Sequence, residues 1–281
     1  MRFTIGYTIF NQEALIEQIV SALASLRDIQ MIFLFDGCTD GSVTEFKKYR
    51  HRLGEHQAFV NDGYDFFEPL ANNFILRKFQ TDCCFLFQGD MVIKSDSLFA
   101  MAARVLEEMP DAGLVGFKDG YEMSEVDSYE NMISSPFSHA KHRQATLGEG
   151  EYRVRTFVNR GPIAVSRRVV EKVGLLDEAY DPLFWDDNDY CMQCRAAGLR
   201  NVIAYGEIET LLQWGATRKG SKLPCKAVYV ANKWRFAKKW NMSCAKINRW
   251  QVFNGLISVY RVRMGRRVCG LVGRGSKALS F

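Results

Sequence analysis

Phe3-Thr4-Ile5-Gly6-Tyr7-Thr8-Ile9, then Met31-Ile32-Phe33-Leu34-Phe35-Asp36, then Cys83-Cys84-Phe85-Leu86-Phe87-Gln88 are short β-rich runs separated by longer segments of a different rhythm. Between the first two, Leu15, Ile19, Leu23 and Leu26 recur at helical spacing, with Asn11 placed to cap the helix start. Short strands alternating with helical segments signal βαβ units, because parallel neighbours need a crossover long enough to return to the same sheet edge. The same pattern predicts strands over 57–60 and 114–117, and a helix after Asp96 that runs to about Met109 and is stopped by Pro110. Residues 118–155 are polar, aperiodic and rich in Ser, Glu and His, and read as a long loop or partly ordered insertion of the kind that covers a site. Beyond them come a strand over Gly161 to Ser166, a helix to Val173 closed by Gly174, a helix from about Asp187 to Ala197 closed by Gly198, and a strand near Val202 to Tyr205. The expected fold is α/β, a doubly wound, mainly parallel, Rossmann-like sheet.

The 281 residues are 47% hydrophobic and 25% charged, the proportions of a globular protein, which excludes disorder and coiled coil. No apolar run approaches the roughly 20 residues of a membrane span, and the opening Met1-Arg2-Phe3-Thr4-Ile5 is already strand-like. A cytoplasmic protein is expected, with any membrane contact peripheral and on the inner face. Eight scattered cysteines read as reduced thiols, and the Cys191-x-x-Cys194 pair, inside a helical pattern with no second pair, reads as core rather than zinc.

The net charge of +5 hides an asymmetry: residues 222–281 hold 14 Lys and Arg and no Asp or Glu, which leaves a net charge of −9 on residues 1–221. The division expected is a catalytic domain over 1–221, split into halves at 117/118, and a basic helical tail over 222–281. Val228, Trp234, Phe236 and Trp240 interleave with Lys and Arg, a pattern that suits either an anionic membrane surface or a helix packed on the domain. No nucleic-acid module accompanies the charge, so no nucleic-acid partner is expected.

In an open parallel sheet, ligands sit beyond the carboxyl ends of the strands. Four clusters fall there: Tyr7-Thr8-Ile9-Phe10-Asn11, Phe35-Asp36-Gly37-Cys38-Thr39-Asp40-Gly41, Gln88-Gly89-Asp90-Met91, and Trp185-Asp186-Asp187-Asn188-Asp189. Together with Asn73, the Arg160-Gly161-Pro162-Ile163-Ala164 run, Val173-Gly174-Leu175-Leu176-Asp177-Glu178 and Gly198, their order resembles the family 2 glycosyltransferases of the GT-A fold over roughly residues 3–220.

The resemblance implies an inverting transferase that moves a sugar from a nucleotide-diphosphate donor to an acceptor hydroxyl in polysaccharide or glycolipid synthesis, with a glycan or lipid-linked acceptor. It places the nucleotide and donor at Thr8, Phe10, Asn11, Asp36, Asn73 and Gln88, Mn²⁺ or Mg²⁺ at Asp90, and the acceptor beside Arg160, Gly161, Pro162 and Trp185. Asp187 takes the general-base position, with Asp186 the nearest second negative charge to raise its pKa. Asp189 is expected to orient or cap the following helix.

The chain departs from the family pattern at three places. One carboxylate stands in Gln88-Gly89-Asp90 where two are usual, Phe35 replaces a common acidic residue, and Gln213-Trp214-Gly215-Ala216-Thr217 lacks a histidine. Arg218 and Lys219 are the candidates to supply positive charge to the diphosphate in their place. His139 and His142 read as part of a mobile acceptor-side loop. Two other classes compete: a degenerate relative that binds nucleotide or glycan without turnover, and a sugar nucleotidyltransferase. The latter normally carries a glycine-rich basic loop where this chain has Tyr7 to Asn11.

Overall fold

The computed structural model describes residues 1–62, 66–118, 120–122, 147–211, 223–242, 248–271 and 276–278. The first half runs β1 (Phe3–Ile9), α1 (Ile16–Leu23), β2 (Ile29–Asp36), α2 (Ser42–Tyr49), β3 (His56–Asn61), α3 (Phe67–Lys78), β4 (Cys83–Gln88), β5 (Met91–Ile93), α4 (Ser97–Glu108), β6 (Ala112–Gly116) and β7 (Gly120–Tyr121). The second runs β8 (Tyr152–Arg155), β9 (Phe157–Val158), β10 (Ile163–Ser166), α5 (Arg167–Val173), α6 (Asp186–Ala196), β11 (Arg200–Ala204), β12 (Ile208–Thr210), α7 (Cys225–Lys239), α8 (Arg249–Leu271) and β13 (Ser276–Ala278).

Alternation within the strands builds two cores. Phe3, Ile5, Tyr7 and Ile9 of β1, Met31, Phe33 and Phe35 of β2, and Cys83, Phe85 and Phe87 of β4 project to one face, where α1, α2 and α4 cover them. Ile32, Cys84 and Leu86 project to the other, against α3, α5, α6 and α7. Each fully buried side chain of this size contributes about 1.5–3 kcal/mol.

The main sheet has nine strands in the order β13-β3-β2-β1-β4-β10-β6-β11-β8. The β3-β2-β1-β4 block is parallel, as is the β6-β11 pair, while β10 runs antiparallel between β4 and β6. That reversal positions the site, since it brings the start of β10 to the edge where β1, β2 and β4 end. The register sets Thr8 opposite Leu34 and Gln88, Asp36 opposite Asn61, and Ile163 opposite Leu86 and Gly116.

Several expectations are corrected. Asn11 does not cap α1, whose start makes no side-chain cap hydrogen bond; with φ at 49°, Asn11 turns its Oδ1 onto the N–H of Thr39 at 2.8 Å instead. The 118–155 stretch contributes short paired strands at its ends, β7 on β9 and β8 on β11, while His139 and His142 lie outside the described residues.

The tail boundary near 222 marks a change of charge rather than of packing. Val228 and Phe236 of α7, read as possible membrane-facing residues, are 0% and 1% exposed. Trp185 packs on Tyr229 and Phe236, and β13 pairs antiparallel with β3. Among the described residues no helix is long and apolar enough to cross a membrane.

Candidate active site

The loops after β1 and β2 brace each other. Asp40 Oδ2 accepts from the N–H of Glu13, Glu13 Oε2 accepts from Gly41, and Ser42 Oγ accepts from Gln12. Thr8 donates weakly to the Phe87 carbonyl at 3.4 Å, and Thr8, Phe10 and Asn11 are all half-buried at the sheet edge.

Asp36 and Asn73, both expected at the donor, make internal hydrogen bonds. Asp36 Oδ1 accepts from Asn61 Nδ2 and the Phe66 N–H at 2.7 Å each, and Oδ2 accepts from the Phe67 N–H at 2.9 Å. The carboxylate is thus spent on the N-terminus of α3, where a negative charge meets both unsatisfied N–H groups and the positive helix end. Asn73 is fully buried; it exchanges hydrogen bonds with the Leu176 main chain and donates to Glu178 Oε1, a brace between α3 and the 175–178 segment.

Asp90 lies buried in the turn between β4 and β5. Tyr7 Oη donates to the Met91 carbonyl at 3.0 Å, and the Leu211 N–H donates to the Asp90 carbonyl at 2.7 Å. Pairing of β12 with β5 therefore carries the chain past Asp90 just before residues 212–222. Arg218 and Lys219 fall within that stretch, outside the described residues.

Across from this turn, Arg160 is the centre of a buried charge network. Its Nη1 lies 2.5 Å from Glu68 Oε2 and its Nη2 lies 2.5 Å from Asp186 Oδ2. Glu68 Oε1 in turn accepts from Gln88 Nε2 at 2.9 Å. The chain Gln88–Glu68–Arg160–Asp186 joins the end of β4 to the start of α6. Sequence reading missed Glu68, because a carboxylate in the first turn of a helix is explained by the helix dipole alone.

Gly161 makes the approach possible. Its φ is +101°, and an added Cβ would sit 2.2 Å from the Met91 methyl and 3.2 Å from Gln88 Oε1. Pro162 is buried, and its carbonyl accepts from Phe117.

The α6 turn carries three carboxylates with three different duties. Asp186 is fully buried on Arg160, and its Oδ1 has no hydrogen-bond partner. Asp187 is half-buried, with Oδ2 3.4 Å from the Arg160 N–H and Oδ1 accepting from Asn188. Asp189 is fully buried and does not cap the helix as expected. It accepts from Tyr180, Gln193, Lys239 and Trp240, and so anchors α7. Trp185, expected on the acceptor side, is 2% exposed and belongs to the same anchor through Tyr229 and Phe236. Asn232 of α7 completes it by donating to the Tyr180, Leu183 and Phe184 carbonyls. Phe184 and Trp185 hold φ of +73° and +68°, so this clamp fixes a backbone that side chains rarely adopt.

One guanidinium faces three carboxylates here. Burial pushes the Asp186 carboxyl up to about 7; Arg160 pulls against that shift, and Asp187 and Glu68 add to it. For Arg160 burial opposes the charge, and Asp186, Glu68 and Asp187 more than offset it, leaving its pKa raised.

The sign of the pH dependence follows. Between about pH 4 and 7 the folded chain holds a proton on Asp186 that the unfolded chain has released, so this group's contribution to stability is lost as pH rises through that window. Asp186→Asn is expected to flatten the wild-type decline in urea midpoint between those pH values. An identical slope in the two proteins contradicts the assignment.

No protein-family model matches the sequence, and no characterised protein matches it by sequence. Solved structures do match. A mannosyltransferase from Pyrobaculum calidifontis, solved with GDP-Man and Mn²⁺, superposes over 97% of this chain and 79% of its own with a TM-score of 0.56 and 13% identity. S. aureus TarS 1–349 with UDP-GlcNAc covers 94% of this chain and 83% of its own at a TM-score of 0.57 and 13% identity. GalNAc-T7, with UDP, GalNAc and Mn²⁺, covers 85% of this chain and 48% of its own at 0.59 and 9% identity. The chain has the GT-A glycosyltransferase fold.

Proposed function

We propose that this protein is an inverting glycosyltransferase that moves a sugar from a nucleotide-diphosphate donor to an acceptor hydroxyl, in the synthesis of a surface polysaccharide or glycolipid. The observation that carries the reading is the α6 turn. It sets half-buried Asp187 beside Arg160, whose neighbour Gly161 lies against Gln88 and Met91 on either side of Asp90, at the strand edge where this fold takes its ligands.

In this reading Thr8, Phe10 and Asn11 border the nucleotide, while Asp36 and Asn73 hold α3 in place rather than touching it. Gln88 and Glu68 fix Arg160, and Arg160 fixes the two carboxylates. Asp187 takes the acceptor hydroxyl proton as oxygen attacks the face opposite the diphosphate; one O–H bond breaks, the glycosidic bond forms, and the nucleoside diphosphate leaves. Gly161 and Pro162 form the acceptor-side wall.

Among the described residues no group of three His, Cys, Asp or Glu could hold a metal ion. Asp90 is the carboxylate that would hold Mg²⁺, or Mn²⁺, together with the donor's diphosphate. Bound there, the ion would supply positive charge against the leaving diphosphate. Arg218 and Lys219 share that duty in this proposal, since Leu211 leaves the described chain at Asp90. Residues 1–221 would then supply donor and acceptor halves, and α7 the clamp that shapes the base. The alternative of a binding relative without turnover keeps the same donor rim but needs no Asp187 carboxylate.

Proton NMR of the sugar released or transferred from α-linked UDP-, GDP-, CDP- and dTDP-sugars tests the proposal. The first product is expected to be the β anomer; an α product contradicts inversion.

A further inference from the structure

The exposed large apolar side chains of the C-terminal region lie on one face of α8. Trp250 is 69% exposed, Phe253 53% and Tyr260 62%, and half-buried Ile257 falls between them. The spacing of three, four and three residues puts all four on a single helical stripe. Val252, Gly255 and Val259 occupy the opposite side and are buried. A Cβ on Gly255 would sit 2.3 Å from the Ala227 carbonyl oxygen, so the inner face is closed tightly on α7 and the stripe is what remains outside.

Charge identifies what covers it. Exposed Arg249 and Arg261 flank the stripe, and residues 222–281 carry 14 basic and no acidic groups. A second copy presenting the same face would bring like charges together, whereas an anionic bilayer offers opposite charge to the arginines and an apolar boundary to the aromatic rings. The α8 stripe alternates with polar Asn254 and Ser258, as in a helix that lies on a bilayer and not across it.

We infer that α8 docks on an anionic phospholipid surface through Trp250, Phe253, Ile257 and Tyr260, with Arg249 and Arg261 on the headgroups. The helix is tied to the candidate site. Arg263 donates to the Ala179 carbonyl at 2.8 Å and the Asp181 carbonyl at 3.1 Å, and Phe184, two residues before Asp186, packs with Val228, Ala231, Val259 and Leu256. If the transferase proposal holds, on which this consequence alone rests, the docked face holds the Asp187 turn near the bilayer and the acceptor is lipid-linked.

Co-sedimentation of the full chain with vesicles tests the surface without turnover. Binding is expected to mixed phosphatidylglycerol–phosphatidylcholine vesicles, not to phosphatidylcholine alone, and to weaken as salt rises. Trp250→Ser/Phe253→Ser/Tyr260→Ser is expected to lower the partition coefficient at least about tenfold, and Arg249→Gln/Arg261→Gln several-fold, with unfolding temperatures unchanged because all five side chains are exposed. Arg27→Gln/Lys47→Gln, which removes the same charge elsewhere on the surface, should bind as wild type. Equal binding by the triple variant overturns the inference. So does a triple variant that loses only a dimer in sedimentation velocity, or only affinity for a single-stranded oligonucleotide. Nucleotide-induced stabilisation of the triple variant reports on the transferase proposal separately, so either can fail alone.

Discussion

Asp187→Asn is expected to lower kcat by about 10²–10⁴-fold, the contribution of a positioned general base, while nucleotide affinity stays within about twofold of wild type. The amide keeps the shape of the carboxylate, and its single oxygen can still accept the 2.9 Å hydrogen bond from the Asn188 N–H; only the long 3.4 Å contact with the Arg160 N–H is given up, so the α6 turn survives. What disappears is the capacity to take a proton. The proposed donor contacts belong to the β1 and β4 loops rather than to α6, and this division is why affinity and rate should part. Single-turnover kinetics together with nucleotide titration on the same preparation check it. A variant that keeps more than a tenth of the wild-type rate removes Asp187 from the base role, and one that loses nucleotide binding as well turns it into a structural residue.

Arg160→Met should be the most disruptive single change in the site, at about 3–5 kcal/mol of stability. Glu68 and Asp186 then face each other without the cation between them, and the fully buried Asp186 loses its only ion-pair partner among the described residues. The loss depends on pH. Burial already raises the Asp186 pKa to about 7, and removing Arg160 raises it further, so the variant can relieve the repulsion by protonation in acid. Chemical denaturation at acid and at alkaline pH should show the smaller deficit in acid. The double variant Arg160→Met/Asp186→Leu, which removes both charges, should recover part of the loss. A deficit independent of pH means that Arg160 acts through packing alone.

The frame of this molecule is written in local pattern. Period-two alternation at Phe3 to Ile9 and short continuous apolar runs at Met31 to Phe35 and Cys83 to Phe87 mark the strands, and Gly174 and Gly198, at φ of +95° and +75°, end the helices where they were expected to. Other features depend on partners far away in the chain. Asp36 and Asn73 have the residue types of ligand contacts, and only the arrival of α3 and of the 175–178 segment shows that their polar atoms are used internally. Glu68 has no signal of its own until antiparallel β10 delivers Arg160 to it. The three carboxylates of α6 look equivalent in sequence and diverge in the structure: Asp186 is buried on the Arg160 side chain, Asp187 is half-buried on main-chain N–H groups, and Asp189 is buried against α7.

The tail shows the same limit. Its charge was legible, yet the aromatic residues that stay exposed belong to α8, because Tyr229 and Phe236 of α7 pack on Trp185.

The central claim is that the chain binds a nucleotide-diphosphate donor at the strand edge between Thr8 and Asp90. Thermal unfolding with UDP, GDP, CDP and dTDP, each with Mn²⁺, with Mg²⁺ and with EDTA, tests it most directly. A ligand of the folded state at a hundredfold excess over its Kd adds about 2.7 kcal/mol, a rise well above scatter. One nucleotide is expected to raise the unfolding temperature with a divalent ion, and Asp90→Asn is expected to abolish the metal-dependent part. No shift with any nucleotide, in the presence or absence of metal, contradicts the account.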